Sequence, residues 1–347
     1  MSDVFIATKT IAAIEQTMAH DQGASFRTRL ETLLPKMDDA YRGKDDAPYR
    51  SHLGISLIGK ECARDLWYGF RWAQESRFPA RVLRLFNRGH LEEARFIALL
   101  EMIGVTVWYE TMDGGQFRVS HFNGHLGSAL DGVVQNVPDL PPRAVAYAEF
   151  KTSALKAFKA VKKDGVFKAK EQHYTQMQLC MYKNDLPYGL YMVVHKDTDE
   201  LYAEIIELDR VYAERFLRRG SNIIFSNSPP EKIGTNAAWS KCRFCDFKEL
   251  CHGTDMPDIN CRTCLHSQAL EDGSWTCNRA QAAIAITERF RGCPQHIFNP
   301  TMLNGVKLIS IKHYLGYVEL EMPTKEIIRH GPDYVTSADL TLDNGAY

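Results

Sequence analysis

The feature that most constrains the fold is the order in which hydrophobic periods change between residues 81 and 225. Residues 81–103 carry Val82, Leu85, Phe86, Leu91, Phe96, Leu99 and Leu100 at roughly helical spacing, and Gly104 follows as a stop. Four strand-like runs come next, at 105–110, 116–122, 126–136 and 144–152. Gly114-Gly115 turns the first pair, and Pro138, Pro141 and Pro142 punctuate the last gap. A helix at 169–184, strands near 188–195 and 201–207, and a helix ending near 225 complete the series. Helix, strands, helix, strands predicts an α/β fold with a mixed central sheet flanked by helices. Upstream, 61–75 reads as helical, and 1–50 as helix followed by a loose charged connection at Gly43–Pro48.

The cysteines divide the chain differently. Seven of the nine fall between 242 and 293, beyond a boundary at Ser226-Asn227-Ser228-Pro229-Pro230. Residues 1–20 contain Asp3, Lys9 and Glu15 and lack the apolar core of a secretion signal. No run approaches the ~18–20 apolar residues of a membrane span. A cytoplasmic location is therefore expected, with reduced thiols available for metals rather than disulfides. Cys242-x2-Cys245-x5-Cys251 is a three-thiolate cluster suited to zinc or an iron–sulfur cluster. Its fourth ligand is either Cys62, far upstream, or a local histidine such as His252. Cys261-x2-Cys264-x12-Cys277-x15-Cys293 fits a tetrahedral structural zinc, with His296 as a rival fourth ligand. The expected organisation is an N-terminal helical segment at 1–50, a core at 51–255, a small cysteine metal-binding module at 256–300 and an extension at 301–347.

A net charge of -1 advertises no polyanion partner globally, so nucleic-acid binding requires a local basic face. Two stretches qualify. Residues 151–170 hold seven lysines against Asp164, and residues 50–95 are rich in arginine. Either also reads as an ordinary solvated helix face.

The chemical signal is Asp131 followed by Glu149-Phe150-Lys151. Alternation along a strand points Glu149 and Lys151 to one face, with Asp131 on or at the end of a neighbouring strand. Paired carboxylates hold a hard divalent cation, and a neighbouring lysine orients or helps to deprotonate a water. Upstream, His90 and Glu93 share a helix face. Downstream lies the glutamine-rich helix around Gln172, Gln176 and Gln178.

The order Gly89-x3-Glu93, Gly127-x3-Asp131-Gly132, Glu149-x-Lys151 and a glutamine-rich helix resembles the RecB-like branch of the PD-(D/E)XK nucleases, over roughly residues 51–251. That branch includes phage recombination exonucleases and CRISPR adaptation nucleases. The resemblance implies a restriction-endonuclease-like sheet. It also implies that Glu93, Asp131 and Glu149, with the Phe150 carbonyl and His90 as a further candidate, organise Mg²⁺ or Mn²⁺, while Lys151 serves the water. The family's Gln-x3-Tyr motif matches Gln178 and Tyr182 by spacing, whereas Gln176 sits where the surrounding pattern places the glutamine. One cysteine before the core and three after it resembles the family's [4Fe–4S] clasp, here Cys62, Cys242, Cys245 and Cys251. The implied activity is a Mg²⁺- or Mn²⁺-dependent DNA exonuclease of phage type, acting on duplex ends or single strands in recombination or repair. Arg64, Arg88, Lys156, Lys159, Lys163 and Tyr182 are the candidate DNA contacts, and a single-strand annealing protein is a candidate partner. The competing reading is a non-catalytic DNA-binding adaptor with structural metal sites. A zinc hydrolase built on Cys261–Cys293 is disfavoured, because four thiolates leave no open coordination position.

Overall fold

The computed structural model describes residues 4–39, 41, 47–285 and 287–343; Gly43–Asp46, most of the expected charged connection, lies outside them. Strand β1 (Phe5–Ile6) precedes helices α1 (Thr8–Asp21) and α2 (Ala24–Leu33). Strand β2 (Leu53–Gly54) then leads into α3 (Ala63–Phe70) and α4 (Ala80–Met102). Strands β3 (Thr106–Trp108), β4 (Arg118–His121), β5 (Leu126–Ala129), β6 (Gly132–Gln135) and β7 (Val145–Ser153) follow. Helices α5 (Leu155–Ala169) and α6 (Glu171–Asn184) lead to β8 (Tyr188–His195), β9 (Leu201–Glu207) and α7 (Arg210–Phe225).

The molecule is mixed α/β. Six strands form the main sheet in the order β1-β9-β8-β7-β6-β3. Within this sheet, among the described residues, β7 and β8 are the one parallel pair, and α5 and α6 supply the crossover it requires. As a central strand β7 is buried on both faces, and its alternation sorts the two cores. Ala146, Ala148 and Phe150 pack with Phe96, Ile97 and Leu100 of α4. Tyr147 packs on the opposite face with Phe158 of α5 and Met177 and Met181 of α6. Phe96 stacks on Phe150 with ring centroids 5.0 Å apart, which fixes α4 against the strand carrying Glu149 and Lys151. Helix α4 ends where Gly104 adopts φ +86, a left-handed conformation suited to glycine. Asp209 caps α7 by accepting from the Tyr212 backbone N–H at 2.9 Å.

Three sequence readings differ from the structure. The run 126–136 is not one strand. It breaks at Leu130-Asp131, so that β5 joins β2 and β4 in a small sheet while β6 enters the main one. Residues 155–169, noted only for their charge, form α5. The boundary at 226–230 also does not separate hydrophobic cores. Helix α8 (Lys248–His252) is followed by a three-stranded sheet of β10 (Ser267–Ala269), β11 (Trp275–Cys277) and β12 (Ala282–Ala283). Ala269, Trp275 and Ile284 of this region belong to the same cluster as Leu66, Trp67 and Phe70 of α3. Buried Arg262 lies 3.7 Å over the Trp72 ring and donates to the Phe70 and Ser51 carbonyls. Strands β13 (Lys307–Lys312), β14 (Tyr317–Glu321) and β15 (Ile327–His330), with helix α9 (Ser337–Asp343), carry a separate small cluster around Phe298, Val318 and Leu320. Among the described residues, no helix is long and apolar enough to cross a membrane.

Candidate active site

The break before β6 positions the first carboxylate. Gly132 pairs with Ala148, so Asp131 reaches the Glu149-Phe150 step of β7. Asp131 Oδ2 accepts from the Phe150 backbone N–H at 2.7 Å and stands 3.8 Å from Lys151 Nζ. Alternation puts Glu149 and Lys151 on the same face, where they form an ion pair. Lys151 Nζ also donates to the Phe150 carbonyl at 3.1 Å. One ammonium is thus ringed by three oxygen acceptors, two on β7 and one just before β6.

Glu149 is fully buried. Its Oε2 accepts from the Tyr147 hydroxyl and from Gln176 Nε2, the latter at 3.0 Å. Its Oε1 meets Lys151 as an ion pair but lacks a well-shaped hydrogen bond. Burial pushes the Glu149 carboxyl up to about 7 despite Lys151, with Asp131 adding to the rise. Glu93 projects from α4, with Oε1 3.6 Å from His90 Nδ1. Burial, then the Asp131 charge, push its carboxyl up to about 8 against Lys151, and Glu149 and Asp38 add to the effect. Burial opposes the charge on Lys151, but Glu149 and Asp131 outweigh it and hold the ammonium well above its ordinary value. Three carboxylates therefore share one cation in a poorly solvated place, a charge balance that favours further positive charge.

A cavity of about 910 Å³ opens over this group, lined by Phe150, Lys151, His90 and Glu93 and also by Arg50 and Lys60. A smaller one beside it is lined by Asp131, Glu93, His90 and Asp38. Among the described residues, no three His, Cys, Asp or Glu side chains are drawn together tightly enough to hold a metal ion as they stand. The donors are nonetheless all oxygens, the set a hard divalent cation takes, and the Lys151 ammonium stands among them as a cation would.

The two glutamine registers separate by role. Gln176 reaches Glu149. Gln178 is buried, donating to the Glu207 carbonyl and accepting from the Asp209 N–H, which ties α6 to the start of α7. Tyr182 does not join the site, because its hydroxyl donates to Glu214 and Arg210 covers its ring. Arg64 is likewise engaged elsewhere, donating to the Pro230 carbonyl and the Tyr68 hydroxyl. Arg88 is exposed and donates to the Lys196 carbonyl at 3.0 Å, and Lys156, Lys159 and Lys163 are exposed on α5. The aromatics Trp67, Tyr68 and Phe70 are core, each at most 1% exposed.

Cys62, Cys242, Cys245 and Cys251 line one cavity together with His252. Cys62 Sγ caps α3 by accepting from the Asp65 N–H, and Cys245 Sγ donates to Asp65 Oδ2. Burial pushes the Cys245 thiol up to about 12. In the second set, burial and then Cys264, Cys293 and Cys277 push the Cys261 thiol up to about 11, so the four sulfurs sense one another. The rival ligand His296 is buried, its Nδ1 paired with Ser337 Oγ at 2.7 Å and its Nε2 with the Asn260 carbonyl at 3.0 Å.

Sequence reasoning missed Tyr147 and Asp38. The signal for Tyr147 was present, since it lies two residues before Glu149 on the same strand face.

No family model matches the sequence, and no curated protein matches it at a significant level. Among solved structures, the chain is similar to the protein SSO0001, with 15% identity and a TM-score of 0.33, covering 67% of this chain and 96% of that one. It is also similar to the alkaline exonuclease LHK-Exo from Laribacter hongkongensis, with 14% identity and a TM-score of 0.34, covering 50% of this chain and 86% of that one. The structure of LHK-Exo in complex with dAMP gives 14% identity, a TM-score of 0.35 and the same coverage. At these values the likeness assigns neither a family nor an activity.

Proposed function

We propose that this chain is a divalent-metal-dependent nuclease that hydrolyses DNA phosphodiester bonds, an exonuclease of the phage recombination and repair type. The observation that carries this reading is the ring of Asp131, Glu149 and the Phe150 carbonyl around the Lys151 ammonium, with Glu93 facing the same space. Asp131, Glu149 Oε1, the Phe150 carbonyl and Glu93 would hold Mg²⁺ or Mn²⁺, with His90 adjacent. When bound, such a cation acidifies water and neutralises charge on a phosphate. The protein groups do the positioning. Gln176 and Tyr147 occupy Glu149 Oε2 and aim Oε1 at the cation site. The Phe150 N–H fixes one oxygen of Asp131. Lys151 contributes a permanent positive charge beside the attacking water and the phosphate, whose developing negative charge it stabilises.

The cysteine sets are read as structural. Cys62, Cys242, Cys245 and Cys251 would hold a [4Fe–4S] cluster, tying α3 to the α8 region and closing a long loop. Cys261, Cys264, Cys277 and Cys293 would hold Zn²⁺. The thiol-only donor sets support both assignments. Arg88, Lys156, Lys159 and Lys163 supply the exposed charges for a DNA backbone.

The test is degradation of end-labelled linear DNA. Cleavage should require Mg²⁺ or Mn²⁺, stop with EDTA and fall by more than about 10²-fold in Asp131→Asn. Cleavage undiminished in that variant, or independent of metal, refutes the assignment.

A further inference from the structure

The first half of α4 stands outside the core and exposes an unusual combination of side chains. Phe78, just before the helix, is 42% exposed, and Leu85 and Phe86 are 38% and 41% exposed. The Phe78 and Phe86 rings meet edge to face, with centroids 5.1 Å apart and planes at 84°. Such a pair leaves ring surface open to solvent. All three side chains line the same 910 Å³ cavity as Glu93 and Lys151. The geometry of the helix makes this continuous, because Leu85, Gly89 and Glu93 succeed one another at i, i+4 and i+8.

A second stripe runs beside the first. Arg81, Arg84 and Arg88 recur at i, i+3 and i+7 and are all exposed. Arg88 donates to the carbonyl of Lys196, which itself lines the cavity. The same cavity is also lined by Arg50, Lys60 and His52. A clustered apolar surface that remains uncovered marks a binding site. Here it is bordered by guanidinium groups and opens towards the carboxylates. The matching ligand carries regular negative charge and flat apolar faces, as an unpaired nucleic-acid strand does. A duplex fits less well, since its base faces are hidden in the stack and cannot reach two phenylalanine rings.

We propose that Phe78, Leu85 and Phe86 form a base-stacking platform that leads an unpaired DNA strand into the cavity at Lys151, with Arg81, Arg84 and Arg88 holding its phosphates. The destination of the strand rests on the nuclease reading; the platform itself needs no metal.

Binding measured in EDTA keeps the two apart. Fluorescence anisotropy would compare the full chain and its Phe78→Ala, Phe86→Ala, Phe86→Trp and Arg84→Ala variants on labelled oligo(dT) of about 16 nucleotides and on a blunt duplex of equal length. Thermal unfolding would verify that each variant folds. Either alanine substitution of a phenylalanine should weaken oligo(dT) binding roughly 5- to 100-fold and leave duplex binding unchanged, while Phe86→Trp retains affinity. Arg84→Ala should reduce the salt slope on oligo(dT) by about 0.7. Oligo(dT) binding undiminished in both alanine variants overturns the proposal and leaves the patch to a protein partner. Equal losses on single strand and duplex also overturn it. Aromatic-dependent binding supports the platform whether or not the chain cleaves DNA, so the two readings fail separately.

Discussion

Replacing Glu93 with glutamine should stabilise the metal-free protein, and the gain should grow with pH. Burial and the charge of Asp131 carry the Glu93 carboxyl from 4.5 to about 8 in the folded chain. The folded state therefore binds this proton more tightly than the unfolded state does. The sign follows directly: the native protein is favoured while Glu93 stays protonated, and it loses stability as pH climbs from about 4.5 to about 8. One pH unit in that window corresponds to about 1.4 kcal/mol, so the loss reaches about 3 kcal/mol by pH 7 and about 5 kcal/mol at pH 9. Glutamine does not titrate, so Glu93→Gln escapes this loss. Urea unfolding in EDTA at pH 5, 7 and 9 provides the assay. The variant should match the parent at pH 5 and exceed it by several kcal/mol at pH 9. Saturating Mn²⁺ should then stabilise the parent by a further 3 kcal/mol or so at about 100 times its dissociation constant, and the variant by less. Parallel curves at all three pH values, or a variant less stable at pH 9, would refute the view that Glu93 shares a crowded carboxylate site.

Other outcomes follow from the same geometry. Gln176→Ala leaves Glu149 Oε2 with Tyr147 alone and should lower Mn²⁺ affinity about 10- to 100-fold by titration calorimetry, with the far-ultraviolet spectrum unchanged. Anaerobically purified protein should be brown and should lose that colour in Cys245→Ser; a colourless parent speaks against the cluster. Cys264→Ser should release the zinc found in the parent by elemental analysis and lower its unfolding temperature; a parent containing no zinc contradicts the second site.

Much of the fold was legible because its periods are long and unmixed. The α4 pattern with its glycine stop, the strands β7 and β8, and α7 appear within a few residues of the expected bounds. What failed to show in the sequence was tertiary in origin. Residues 126–136 read as one strand although Asp131-Gly132 is a turn dipeptide at the break; the Asp131 carboxylate also accepts from the Phe150 N–H, a partner remote in sequence. Helix α5 was obscured by its lysines and by Gly165, where it kinks at φ +73. The distinction between Gln176 and Gln178 was beyond spacing arguments. Both are buried, and only the packing of α6 on β7 decides which of them meets Glu149. The partners that hold Arg64 and Tyr182, the Pro230 carbonyl and Glu214, lie on other elements, so spacing alone did not show them.

The central claim is best tested by diffraction from crystals soaked in Mn²⁺, using the anomalous signal of the metal. The account predicts a peak within about 2.0–2.6 Å of Asp131, Glu149 and the Phe150 carbonyl, with the Lys151 ammonium displaced from between them. A peak elsewhere, or an unaltered Lys151 still bridging the carboxylates at saturating metal, would contradict it.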